Sequence, residues 1–259
     1  MLTALALLAS ACGSETPDEV ARSIDDAVAP DDAGADLVLL RSLSLASLPP
    51  PPPNASNAVA DDARAAALGH RLFFDPGLSA NGAVACASCH APERFFTDGL
   101  ALSRGIGTTA RNAPTVVASA FAAWLFWDGR RDSLWAQALA PLETDVEMGS
   151  TRVEVVRRVA LEGPHTHLYR DVFGPPPAAL DAERLPERAG RFGDAQSRAA
   201  WASLDAATRL AVDGVFANVG KALEAYQRRL LPGPTRFDRY ADALVAGDER
   251  AAARWLDAD

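Results

Sequence analysis

At 259 residues, 49% apolar and 23% charged, the chain has ample sequence for one large or two small soluble domains. Its 34 acidic residues outweigh 25 basic ones for a formal charge of −9. That balance argues against a nucleic-acid partner and against a basic face for membrane binding.

The first twelve residues form a short apolar run that ends in small residues and Cys12. The run is too short to span a bilayer and reads as an export signal. The small residues before Cys12 resemble a bacterial lipobox, in which the cysteine is lipidated. Ala9 in place of leucine, and no Lys or Arg ahead of the run, depart from that pattern. The expectation is a periplasmic protein anchored by lipid on Cys12, touching the membrane only through that anchor. Residues 13–58 are acidic, rich in Ala and Ser, and end in the prolines 49 to 53. Consecutive prolines favour an extended polyproline rod, so the segment reads as a semi-rigid spacer. Within it, Leu37-Val38-Leu39-Leu40 is expected as a short strand or turn.

Asp61 or Asp62 is predicted to cap a helix through Ala65, Leu68 and Leu72 that ends near Asp75-Pro76-Gly77. Further helical patterns fall at about 113–124, 132–140, 151–161, 194–202, 205–231 and 235–246, with a Pro- and Gly-rich break at 174–177. Alternation with period two is nearly absent, so the fold class expected is mostly α with long loops.

The loop after the first of these helices carries Cys86-Ala87-Ser88-Cys89-His90, a single C-x-x-C-H. Two thiols at this spacing can form thioethers to the vinyl groups of one haem, and the adjacent imidazole can then bind the iron. A redox C-x-x-C should follow a strand in a βαβ context, and a zinc site needs further ligands. The only other cysteine is Cys12. The reading is one covalent haem c held by Cys86, Cys89 and His90. Cys12 is then left for lipid, and no structural disulfide remains. His70, His165 and His167 read as surface or loop residues, Trp124 and Trp135 as packing. Phe73, Phe74, Phe95 and Phe96 are expected to wall the haem pocket.

The order of short motifs from 60 to 259 resembles the bacterial dihaem cytochrome c peroxidases and their MauG-type relatives. The matching pieces are Leu68 to Asp75, Leu78-Ser79, Cys86 to His90, Phe96-Thr97-Asp98-Gly99 and Arg111 to Thr115. Phe126 to Arg130, Gln137, Glu147-Met148, Gly220 to Leu223 and Phe237 to Tyr240 follow in register. The resemblance implies a cytochrome c-like haem domain at 59–246, corresponding to the N-terminal, peroxidatic half of the family. Residues 247–259 would then start a linker to a second haem domain.

The resemblance also implies roles. Glu147 matches the distal acid that shuttles a proton between the peroxide oxygens. Gln137 matches a distal amide, and Trp127 the tryptophan between the two haems. Asn112 matches a contributor to an interdomain calcium site. Ile106 falls where many members carry a histidine that caps the resting haem, which implies an open iron position at rest. The implied activity is reduction of hydrogen peroxide to water with electrons from a small cytochrome c or cupredoxin, in a chain compatible with a homodimer. Two other readings stay open. One is a monohaem electron carrier with His90 and Met148 as axial ligands. The other is a MauG-like oxidase of a protein or other large substrate.

Overall fold

The structure, a computed structural model, describes residues 33–256 and contains helices, turns and isolated bridges but no strands among them. Cys12 and the export segment lie outside the described residues. The chain forms two compact units. The larger is Pro49–Pro232; the smaller joins the described residues up to Leu48 with those from Gly233 onward.

In the smaller unit, α1 (Ala33–Leu43) takes up Leu37 to Leu40, so this apolar patch is helical and not a strand or turn. The reason is compositional: Leu and Ala favour helix, and no alternating partner strand exists to pair with. Helix α9 (Arg236–Val245) and α10 (Glu249–Leu256) complete the unit, although α10 lies where a linker was expected. Thr235 and Asp238 form a capping box at the start of α9. Asp238 also accepts from the Leu45 backbone N–H at 2.7 Å, and Asp242 accepts from Ser44 Oγ at 2.7 Å. These bonds place α9 with α1 in the smaller unit.

The larger unit is organised by α8 (Ala206–Gln227), against which α2 (Ala63–Phe73) and α4 (Leu134–Glu143) both pack. Asp62 and Asp205 cap α2 and α8 by accepting backbone N–H groups of Arg64 and Thr208. Two glycines permit the close approach. A Cβ on Gly69 would stand 1.9 Å from the Ala222 carbonyl oxygen, and one on Gly220 would stand 2.5 Å from that of Trp135. Leu68, Leu72, Phe73, Leu142, Val215, Phe216, Val219 and Leu223 are buried around these crossings. Each such side chain contributes about 1.5–3 kcal/mol relative to exposure.

The remaining helices are α5 (Arg152–Val156), α6 (Thr166–Phe173) and α7 (Ala195–Ser203). A π turn, Arg157–Leu161, continues α5, so the pattern at 151–161 is one helix with a widened last turn. Cys86–Cys89, named α3, is a single helical turn.

Several expectations fail for local reasons. The helix at 113–124 is absent: only Ser119–Phe121 makes a 3₁₀ turn. Pro114 disfavours helix at Ala113, Ala118 sits in the left-handed region at φ 59°, and its N–H bonds to the Leu230 carbonyl at 2.7 Å. Helix α6 was not anticipated, and α8 stops at Gln227, not 231. Residues 49–58 are tied to α8, not free as the end of a spacer. Arg228 donates to the Pro52 carbonyl at 2.8 Å, and Asn54 Nδ2 to Glu224 at 2.8 Å. A polyproline segment has no internal hydrogen bonds, so its carbonyls are available to such donors. Among the described residues no helix is long and apolar enough to cross a membrane.

His165 is not a surface residue. It is buried, and its Nε2 lies 2.8 Å from Asp75 Oδ2. Arg158 clamps the same carboxylate with two hydrogen bonds of 2.6 and 2.8 Å, and the Gly77 N–H adds a fourth at 2.9 Å. Burial alone would raise the Asp75 carboxyl, but the bonds from Arg158, His165 and Gly77 outweigh it and hold the pKa at about 2. The group is depressed in the folded state, so its contribution is present above the unfolded value near 4 and lost as pH falls toward 2. Asp75→Asn should therefore lower stability at pH 7 by about 2 kcal/mol in urea unfolding. The gap from the parent should close as the pH is taken from about 4 to about 2.

Candidate functional site

The single turn of α3 begins where the Ser88 hydroxyl accepts the Ala85 N–H at 3.0 Å. It ends where the His90 N–H donates to the Cys86 carbonyl at 2.9 Å. With a spacing of three, Cys86 and Cys89 share one face of the turn. Both thiols and the His90 side chain line one cavity. Burial pushes the Cys86 thiol up to about 12 and raises that of Cys89, so both sulfurs are uncharged. Burial also lowers the His90 imidazole, which keeps it neutral.

Which nitrogen of His90 carries the proton follows from its partner. Nδ1 lies 3.1 Å from the Phe96 carbonyl oxygen, which can only accept. Nδ1 is therefore the donor, and the lone pair of Nε2 is free for a metal. The carbonyl is aimed by two consecutive left-handed residues, Phe95 at φ 55° and Phe96 at φ 57°. This conformation is costly for non-glycine residues and is found where surrounding contacts enforce it. The Phe96 N–H bonds back to the Ala91 carbonyl at 2.8 Å, and its ring stands 6.0 Å from that of Phe73.

The same cavity is lined by Gln137 and Pro141 of α4, then by Glu147 and Met148. Glu147 sits on a turn anchored by Thr144, whose carbonyl accepts from the Glu147 and Gly149 N–H groups at 2.9 and 3.0 Å. A second loop grips it from outside: Ile106 N–H donates to the Glu147 carbonyl at 2.8 Å and Gly107 N–H to that of Val146 at 2.9 Å. Burial raises the Glu147 carboxyl, opposed by the charge of Arg130. A partly desolvated acid facing an imidazole and two thiols is suited to exchanging a proton with a small bound molecule.

Cys86, Cys89, His90, Gln137 and Glu147 are thus brought together. Trp127 and Asn112 are not among the lining residues. Both are exposed, and Trp127 Nε1 donates to the Asn112 carbonyl at 3.5 Å. Among the described residues no group of three or more His, Cys, Asp or Glu side chains is placed to hold a metal ion. Of the four phenylalanines expected to wall the pocket, Phe73 lines it and Phe96 packs behind it. Phe74 and Phe95 are exposed, because Phe74 follows the last turn of α2 and Phe95 stands at the outer corner of its left-handed turn. Trp124, expected to pack, is 69% exposed in a bridged loop.

Sequence reading missed Gly105, Val84, Val116, Leu223 and Gln227, which also line the cavity. It also missed Asp98, a buried carboxylate whose Oδ2 lacks a partner among the described residues. Gly105 stands in the Gly-Ile-Gly run around Ile106, and Asp98 and Leu223 stand in the motifs Phe96 to Gly99 and Gly220 to Leu223.

Residues 63–246 match the family described as di-haem cytochrome c peroxidase. The chain belongs to that family. Among curated relatives of this peroxidase family, the chain is 34% identical over 187 residues to the methylamine utilization protein MauG of Methylorubrum extorquens. That match covers 71% of this chain and 42% of the relative. It is 31% identical over 187 residues to cytochrome c551 peroxidase of Pseudomonas aeruginosa, covering 71% and 43%. Among solved structures it is similar to a MauG-like protein associated with microbial copper homeostasis. The TM-score is 0.54 at 27% identity, over 76% of this chain and 48% of that one. The chain therefore spans less than half the length of these peroxidase-family relatives. The family is one of haem c proteins, and the C-x-x-C-H donors meet its chemical requirement: two neutral thiols and a neutral imidazole facing one cavity.

A Cβ on Gly105 would stand 2.4 Å from the Glu147 carbonyl oxygen. Gly105→Ala should displace the loop that grips Glu147 and lower stability by about 1–3 kcal/mol in chemical unfolding.

Proposed function

We propose that this chain carries one covalent haem c on Cys86 and Cys89, with His90 as its protein ligand, and reduces hydrogen peroxide to water. The observation that supports this best is the meeting of the C-x-x-C-H donors with Glu147 and Gln137 across one cavity. A haem held there supplies a redox-active iron with a coordination position open to peroxide.

The chain's own residues do the rest. His90, oriented by the Phe96 carbonyl, presents Nε2 from the proximal side. Gln137 orients peroxide by hydrogen bonding. Glu147 would take the proton from one peroxide oxygen and return it to the other, so that the departing oxygen leaves as water; two electrons from the donor and two protons from solvent would carry the second oxygen to water. The exposed indole of Trp127, beside the Asn112 carbonyl, is the surface route by which electrons enter. The donor is a small periplasmic cytochrome c or cupredoxin, and export with a lipid on Cys12 places the chain where it would meet one. The sequence contains one C-x-x-C-H, so this reading assigns the chain one haem. A MauG-like oxidase of a large substrate would use the same cavity residues, in keeping with the similarity to MauG.

The electron-carrier reading also has an observation in its favour. Met148 is buried and lines the same cavity as His90. Optical and EPR spectra of the ferric protein separate the two. A high-spin spectrum that responds to peroxide is expected. A low-spin spectrum with a sulfur-to-iron near-infrared band, lost in Met148→Leu and unmoved by peroxide, would overturn the peroxidase reading.

Cys86→Ala with Cys89→Ala should abolish the covalent haem adduct in the mass spectrum of the denatured protein. Glu147→Gln should leave that adduct intact and lower kcat for peroxide reduction by about a hundredfold to a thousandfold.

A further inference from the structure

Helix α4 has two working faces. Gln137, Ala138 and Pro141 face the cavity of Cys86 and His90, whereas Ala136, Leu139, Ala140 and Glu143 face the other way. On that far side lies an open cleft of about 800 Å³, within the range of small-molecule sites and separate from the cavity described above.

The cleft is electropositive in an otherwise acidic chain, with five arginines against three carboxylates on its walls. Part of this charge is already used. Arg152 donates to Glu143 at 2.9 and 3.0 Å and to Asp213 at 2.5 Å, and Arg191 donates to Asp213 at 2.5 Å. Arg130 pairs with Asp128 at 2.7 Å, which leaves two arginines. Arg131 donates to the Arg130 carbonyl at 3.0 Å, and Arg198 donates to the Gly193 carbonyl. Among the described residues neither pairs with a carboxylate, and both side chains are exposed at the cleft. The rest of the lining includes the apolar surfaces of Trp135, Leu139, Phe216 and Phe192, the last 59% exposed.

We propose that this cleft binds a small organic anion whose carboxylate is held by Arg131 and Arg198 and whose flat apolar body lies against Phe192 and Trp135. A guanidinium matches a carboxylate with two parallel hydrogen bonds, and its planar face is compatible with stacked rings. The fixed network of Arg152 and Asp213 builds the floor without competing for the ligand, because its donors are already committed. A lone phosphate would satisfy the arginines but leave the aromatic wall uncovered.

The proposal concerns a site apart from the haem residues and does not rest on the peroxidase reading. It is tested by calorimetric titration of the full chain at low ionic strength with benzoate, acetate and inorganic phosphate as probes. Benzoate is expected to bind at least tenfold more tightly than acetate or phosphate. Arg131→Gln with Arg198→Gln should weaken benzoate at least tenfold, and Phe192→Ala should weaken benzoate while leaving acetate unchanged. Unfolding midpoints of the variants should match the parent, since all three positions are exposed. The proposal is overturned if benzoate gives no saturable heat at millimolar concentration. It also fails if the three anions bind alike or the double variant binds benzoate as the parent does.

Discussion

Where α2 meets α8, the backbone of Gly69 lies so near the Ala222 carbonyl that no side chain fits between them. Gly220, two residues earlier on α8, meets the backbone of α4 at Trp135 in the same way. These two contacts bring α2 and α4 to backbone distance of α8, and the walls of the cavity descend from that arrangement. Phe73 comes from the end of α2, Leu223 and Gln227 from the end of α8, and Gln137 and Pro141 from α4. A larger residue at either glycine would move these walls apart before it touched any residue of the site.

Two loops complete the cavity by backbone hydrogen bonding more than by side-chain packing. The turn from Phe95 to Phe96 spends conformational strain to aim one carbonyl at His90. The loop of Gly105 to Gly107 pairs its N–H groups with the carbonyls of Val146 and Glu147. Ile106, notable in the sequence for not being histidine, has its side chain 40% exposed and acts on the site through its N–H. The imidazole and the acid that share the cavity are thus each positioned by main chain, on loops held to a rigid helical frame.

Charge is arranged to match. Around the cavity, burial keeps the thiols and imidazole neutral and raises the acid. The ion networks lie elsewhere, at Asp75 with Arg158 and His165, and at Arg152 with Glu143 and Asp213. The second network sits behind α4, so one helix separates a largely apolar cavity from a charged cleft.

The helical class, a cap at Asp61 or Asp62, and the C-x-x-C-H motif were legible in sequence because each rests on contacts within a few residues. The family, too, could be read from the order of short motifs, and the match over 63–246 agrees. Local pattern failed where distant partners decide. Residues 113–124 have helical composition, but Ala118 gives its N–H to Leu230, and the proline run binds Arg228 instead of standing free. His165 looked like a loop histidine because its partner, Asp75, is 90 residues away. The sequence alone determined which residues can hold a haem and in what order they stand. Only the tertiary structure decided that His90 leaves Nε2 free, that Glu147 lines the same cavity, and that Trp127 and Asn112 stand outside its lining. Those outcomes depend on carbonyls and helix crossings far apart along the chain, which no local spacing records.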